Sequence, residues 1–284
     1  MKNKCTSALI ISWAQANQTP RYMNKLLTIF LLISNLSLAQ TDNEFLTEFL
    51  LEDELKTENT LDKFVEYDFS AIWTKTDNQF VYGIIGTDHQ RIRIKLISVE
   101  KSTNNPNEYI VFGKSKVKET VCDFEGTIKI TQIKELKTLN YGIDNEYEDK
   151  GIKAQGIVIA NYEFKEKKEQ THSGTFTGQL YSKWYLDSKD QVNYDDIQSF
   201  ADSYLNNAFI GIWKSYNTDH EKLCNWADYR VPNANKDFDI GAGEFSVAEK
   251  YWSKGWFDIA LKNQMPNPAI QQNQNTKELA NWWE

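Results

Sequence analysis

The sequence predicts a mainly β protein: an antiparallel sandwich or barrel with a short N-terminal helical segment. Three observations carry this reading. From Trp73 onward apolar residues recur with a period of two. Ile92, Ile94 and Leu96 do so within Arg91–Leu96, Ile128 and Ile130 within Gly126–Thr131, and Phe176, Leu180, Trp184 and Leu186 share a parity opposite Thr175, Thr177, Gln179 and Lys183. Such alternation sets one face of a strand on a core and the other in water, the habit of antiparallel sheets. Turn-forming clusters separate the runs at Asn104-Asn105-Pro106-Asn107, Ser173-Gly174 and Asp187-Ser188-Lys189-Asp190. The chain also carries 9 Trp, 14 Tyr and 15 Phe against only 5 Pro, enough aromatic bulk for a large core. Roughly eight or more strands at this spacing fit either architecture.

Residues 1–22 read as an extension upstream of the true start, because they hold little apolar sequence beyond Ala8–Trp13. Residues 23–39 read as a secretory signal peptide. Met23-Asn24-Lys25 is a short positive opening, Leu26–Ile33 an apolar run, and the run to Ala39 ends in small residues, with cleavage expected before Gln40. The apolar run is far shorter than the roughly 20 residues of a membrane span, and no Cys follows the cleavage point, so no lipid anchor is expected. The mature chain is therefore expected to be exported, periplasmic or extracellular.

Residues 40–68 read as helical: Phe45, Leu46, Phe49 and Leu50, with an extension toward Leu55, recur at three- and four-residue spacing. A second short helix is expected to start at an N-cap Thr60 and to bury Leu61, Phe64 and Val65. Residues 69–262 form the β-rich domain, one unit or two subdomains split near 140–150. Residues 263–284 read as a mobile polar tail that ends in Trp282-Trp283.

Charge and cysteine usage narrow the partners. The formal net charge is −8, and removal of a leader with Lys2, Lys4, Arg21, Lys25 and no acid takes it to −12. An acidic chain lacks the positive footprint that nucleic acid or an anionic membrane demands. Cys122 and Cys224 survive cleavage as an even pair in an oxidising compartment, which allows a disulfide between them; buried free thiols are the other reading.

Catalytic signals are sparse. There is no Gly-x-Ser-x-Gly elbow, and only three His occur. Asn233, Asn235, Asp237, Asp239 and Glu244 fall at positions 1, 3, 5, 7 and 12 of a calcium-type loop, with hard oxygens at alternating positions. Phe238 stands where that loop wants Gly, and an Asx-rich turn explains the same residues. An acidic cluster at Asp144, Glu146, Glu148 and Asp149 reads as a solvated loop. Trp226, Asp228, Tyr229, Trp252 and Trp256 are candidate binding residues, since aromatic platforms beside acids suit sugar rings. A glycosidase-like hydrolase using Asp237, Asp239 and Glu244 is an alternative.

Gly211-x-Trp213 resembles the strand-opening motif of lipocalins, where it lies on the first barrel strand. Only 71 residues follow Trp213 here, too few for seven further strands, so membership of that family is not expected, and a lipocalin-like barrel shape stays open beside the sandwich. Gly211-Ile212-Trp213-Lys214-Ser215-Tyr216 and Asp239-Ile240-Gly241-Ala242-Gly243-Glu244-Phe245 resemble stretches of uncharacterised exported proteins of Bacteroidota, which implies export and no particular activity. The expectation is an exported, non-enzymatic binding protein for a glycan, peptide or protein. An acidic inhibitor or neutralising partner of another protein is a further alternative.

Overall fold

In the computed structural model Phe49, residues 54–264 and residues 281–284 are described. The expected extension, the signal segment and most of the first helical stretch lie outside the described residues.

Nine antiparallel strands follow the alternation read from the sequence: β1 (Val81–Ile85), β2 (Gln90–Lys101), β3 (Glu108–Val117), β4 (Thr120–Glu135), β5 (Ala154–Glu166), β6 (Gly174–Leu186), β7 (Val192–Tyr194), β8 (Asn206–Ser215) and β9 (Glu221–Asp228). Their order is β5-β4-β3-β2-β1-β9-β8-β6-β7, and a further β5–β6 pairing closes eight of them into a barrel. Of the two architectures predicted, the molecule is the barrel, which leaves no long unpaired edge. The short β7 pairs with the end of β6 beyond the stretch that β8 covers. At that junction the Asn206 side chain stands in for a strand, accepting from the Lys183 amide (2.7 Å) and donating to its carbonyl (3.1 Å). Residues 140–150 connect β4 to β5, which pair with each other along most of their length.

The parities hold. Ile92, Ile94, Leu96, Ile128, Ile130, Phe176, Leu180, Trp184 and Leu186 all point into the barrel. Tyr162, Phe164, Phe209 and Trp226 fill its middle, with Phe209 stacked on Trp226 at 4.6 Å. Tyr162 needs a glycine wall: a Cβ on Gly211 would lie 2.6 Å from its hydroxyl and 2.1 Å from the Thr177 carbonyl oxygen. Many outward positions on β4–β6 are polar, among them Glu125, Lys129, Asn161, Glu163, Lys165 and Thr177, while Ile157 and Ile159 on β5 also face outward. Among the described residues no helix is long and apolar enough to cross a membrane.

One end of the barrel is plugged from the N-terminal side. Helix α1 (Leu61–Phe64) and the 3-10 turn Ser70–Trp73 push Phe64 and Phe69 edge-on against Trp184, at 4.8 and 5.4 Å. The Trp73 indole donates to Ser182 Oγ (3.0 Å), and Lys101 donates to the carbonyls of Val65 and Tyr67. The helix is only one turn long, and Thr60 does not cap it. Its hydroxyl donates to the Ile133 carbonyl on β4, and Asn59 Oδ1 accepts from the Leu61 amide instead. Leu55 pairs with Leu136 as an antiparallel bridge, so the predicted helical run has ended before it.

Outside the barrel, residues after β9 fold back over β1. Tyr82 and Ile84 face outward and are buried beneath Phe238, Phe245, Val247, Trp256 and Ile259, the last on helix α2 (Phe257–Gln264). The run Val81-Tyr82-Gly83-Ile84-Ile85 is apolar on both faces because both faces are covered. At the chain end, Trp282 donates to Asn78 Oδ1 (2.9 Å) and lies under Arg93, and Trp283 lies under Lys95. The predicted polar tail thus ends against the outer face of β2; residues 265–280 lie outside the described residues.

Candidate functional site: the open mouth of the barrel

The end opposite the plug is rimmed by the tight turns β1–β2, β3–β4 and β8–β9 and by the longer β5–β6 connection. It opens onto a cavity of about 600 Å³, a volume typical of small-molecule sites. Its apolar lining comes from Ile85, Ile92, Val117, Phe176, Trp213 and Leu223, and polar residues of the turns and strand ends, Ser115, Thr120 and Glu166 among them, supply the rest. Ile85, Ile92, Val117, Phe176 and Trp213 lie on strands whose alternation turns them inward at the rim, and Leu223 reaches the cavity from the edge of β9.

One acidic residue stands among the inward positions at this end. The inward series of β5 runs Val158, Ala160, Tyr162, Phe164 and then Glu166, which is 5% exposed and lines the cavity. Three donors hold its carboxyl group. Ser115 Oγ on β3 donates to Oε1, while the Trp213 indole (3.0 Å) and the Gly174 amide (2.8 Å) donate to Oε2. Gly174 is required there, since a Cβ would fall 2.6 Å from the Trp213 ring and 2.2 Å from the Lys214 carbonyl oxygen. No cationic side chain among the described residues pairs with Glu166. Burial raises its pKa above the ordinary carboxylate value, against the pull of the three hydrogen bonds.

The rim supplies the remaining polarity. Lys222 Nζ sits 5.8 Å from the Trp213 ring centroid, in cation–π range. Asp88 is paired with Lys254 (2.7 Å) and Glu221 with Lys214 (3.2 Å). His172 and Cys122 also line the cavity.

The disulfide expectation is corrected: Cys122 and Cys224 are both buried free thiols. β4 and β9 lie four strands apart in either direction around an eight-stranded barrel, so the two residues occupy opposite walls. A disulfide needs Cα atoms within about 7 Å. Burial pushes the Cys122 thiol up to about 11, with Glu166 and Asp123 adding to the effect, and pushes Cys224 well above its ordinary value.

The binding residues expected from sequence are not brought together. Trp226 (2% exposed) packs inside the barrel, and Trp256 (0%) is buried in the outer cluster, donating to the His89 carbonyl. Trp252 is half-buried and donates to the Val247 carbonyl. Tyr229 stacks on Phe80 at 5.5 Å. Asp228 is buried at the plugged end, where its Oδ2 accepts from Thr76 (2.8 Å), Tyr194 (3.0 Å) and Asn207 (2.8 Å); burial pushes its pKa up to about 7. Trp226 and Trp256 act as core, while Trp252 and Tyr229 are half-buried, packed against other side chains.

The calcium-type loop does not gather its oxygens either. Asp239 pairs with Arg230 (2.5 Å) and accepts from the amides of Gly241 and Ser246, whereas Asp237 pairs with Lys250 and accepts from the Tyr251 hydroxyl (3.1 Å). Phe238 between them is buried, and the two carboxylates are held by different cations. Asn233, Asn235 and Glu244 are exposed, as are Asp144, Glu146, Glu148 and Asp149. Among the described residues no three His, Cys, Asp or Glu side chains form a metal-holding group.

Glu166 is the residue the sequence reading passed over. Its signal was present: a carboxylate at the inward parity of a strand whose other inward residues are apolar or aromatic. Comparison of the chain with protein-family models, curated proteins and solved structures returns no match.

Proposed function

We propose that this is an exported binding protein that holds a small, predominantly apolar molecule in the open mouth of its barrel. The observation that carries the reading is the asymmetry of the interior. One end is filled by the plug, the middle by stacked aromatics, and the other end keeps a cavity of about 600 Å³ in which apolar side chains and a polar rim surround one buried carboxyl group. A cavity of this kind removes apolar ligand surface from water at about 25 cal/mol per Å², and its buried carboxyl group orients what enters.

The test is titration with Nile red, a neutral apolar dye whose emission rises in a dry site. The parent chain is expected to bind one equivalent. Val117→Trp, which places an indole in the cavity, is expected to lose that binding while its unfolding midpoint stays close to the parent's. Equal dye binding by the parent and the blocked variant would overturn the assignment to the mouth.

A further inference from the structure

The arrangement around Glu166 says more about what the mouth accepts, and this inference rests on the binding reading above. Ser115, Trp213 and Gly174 present three donors to one carboxyl group, a set that holds it as an acceptor toward the cavity. A carboxylate can accept about four hydrogen bonds, so capacity is left for a ligand. The other rim acids, Asp88 and Glu221, already have lysine partners, whereas Glu166 has none among the described residues. The face of Trp213, whose indole holds Glu166, already carries one ammonium group, that of Lys222. Carboxylate and aromatic face together make a seat for a cation at the edge of an apolar chamber.

We propose that the mouth selects apolar ligands that carry an ammonium group, seated between the Glu166 carboxylate and the face of Trp213. The ligand's ammonium takes the place of the Lys222 side chain, which swings back toward solvent. Its apolar body lies against Phe176, Val117 and Ile92. An anionic head group would instead meet an unpaired carboxylate in a low-dielectric setting, where like charges repel strongly. Lys118 and Lys222 at the rim offset this only weakly, since water and salt screen exposed charges.

Three probes of one shape decide the matter: 1-adamantanamine, 1-adamantanol and adamantane-1-carboxylate, each competing with Nile red on the intact chain. The ammonium form is expected to bind about tenfold tighter than the alcohol, and the carboxylate more weakly than either. In Glu166→Gln, whose amide oxygen still accepts from the Trp213 indole, the advantage of the amine over the alcohol is expected to vanish. Alcohol binding as tight as amine binding in the parent chain overturns the charge selection while leaving the mouth as a binding site. If none of the three probes nor Nile red binds, the binding reading falls and this one with it. The parent-chain comparison stands whether or not the variant folds.

Discussion

Replacing Asp228 with asparagine separates the cost of burying a charge from the value of the hydrogen bonds around it. Asp228 is 4% exposed and ties β9 to Thr76 beyond the plug, to Tyr194 on β7 and to Asn207 on β8. Burial pushes its pKa from 3.8 to about 7, so the folded chain keeps a proton that the unfolded chain releases. The sign follows directly. Stability from this group is fully present below about pH 4 and is lost as pH rises through about 7. At about 1.4 kcal/mol per pH unit, the loss amounts to about 4 kcal/mol. Asparagine has no proton to lose, its carbonyl can accept from the same donors, and its amide can donate to Asn207 Oδ1, which is buried without a partner. The assay is urea unfolding of parent and variant at several values between about pH 5 and about pH 8. Burial also raises the pKa of Glu166 and Asp195, so both chains slope in the same direction; the difference between them isolates Asp228. That difference should move in the variant's favour by about 2.5 to 3 kcal/mol between about pH 5 and about pH 8, the rest of the loss falling below about pH 5. A difference that does not change with pH would refute the buried, proton-holding assignment.

Other consequences follow from the same geometry. Gly211→Ala drives a Cβ into Tyr162 and the Thr177 carbonyl and is expected to lower stability by about 3 kcal/mol or more, read from the urea midpoint. Gly174→Ala displaces the Trp213 ring from Glu166 and should weaken Nile red binding along with stability, whereas an unchanged dye affinity would detach Trp213 from the site. Trp256→Ala empties the centre of the outer cluster, at a cost of about 3–5 kcal/mol in unfolding free energy. Neither Cys122 nor Cys224 should react with a thiol reagent in the folded chain near neutral pH, and both should do so in urea. Peptide mass mapping that finds them joined would contradict the opposite-wall placement.

Much of the barrel was legible because half-buried antiparallel strands write their two faces into alternate residues. Ile92, Ile94 and Leu96, or Phe176 through Leu186, name their inward side without any partner being known. Closure was not legible, since a sandwich and a barrel share the same local alternation and differ only in which strands meet. Here β9 returns to β1 and β5 pairs with β6. Thr60 looked like a helix cap, yet a one-turn plug gave its hydroxyl a better partner on β4. The tryptophans near the C-terminus looked like a platform because composition cannot say what covers a ring; Trp226 and Trp256 are covered on opposite sides of one sheet wall. The acids at 237 and 239 had calcium-like spacing, but each is taken by its own cation, Lys250 and Arg230, which spacing along the chain does not show. Glu166 required knowing that its strand ends at an open rim, which the alternation of β5 alone does not reveal.

The most direct test of the barrel mouth as a binding site is a crystal structure grown with 1-adamantanamine. The account predicts the adamantyl cage against Phe176 and Val117 with its nitrogen within hydrogen-bond distance of Glu166 Oε1. A ligand found instead on the outer wall, beside Trp252 or Trp282, with none in the mouth, would contradict it.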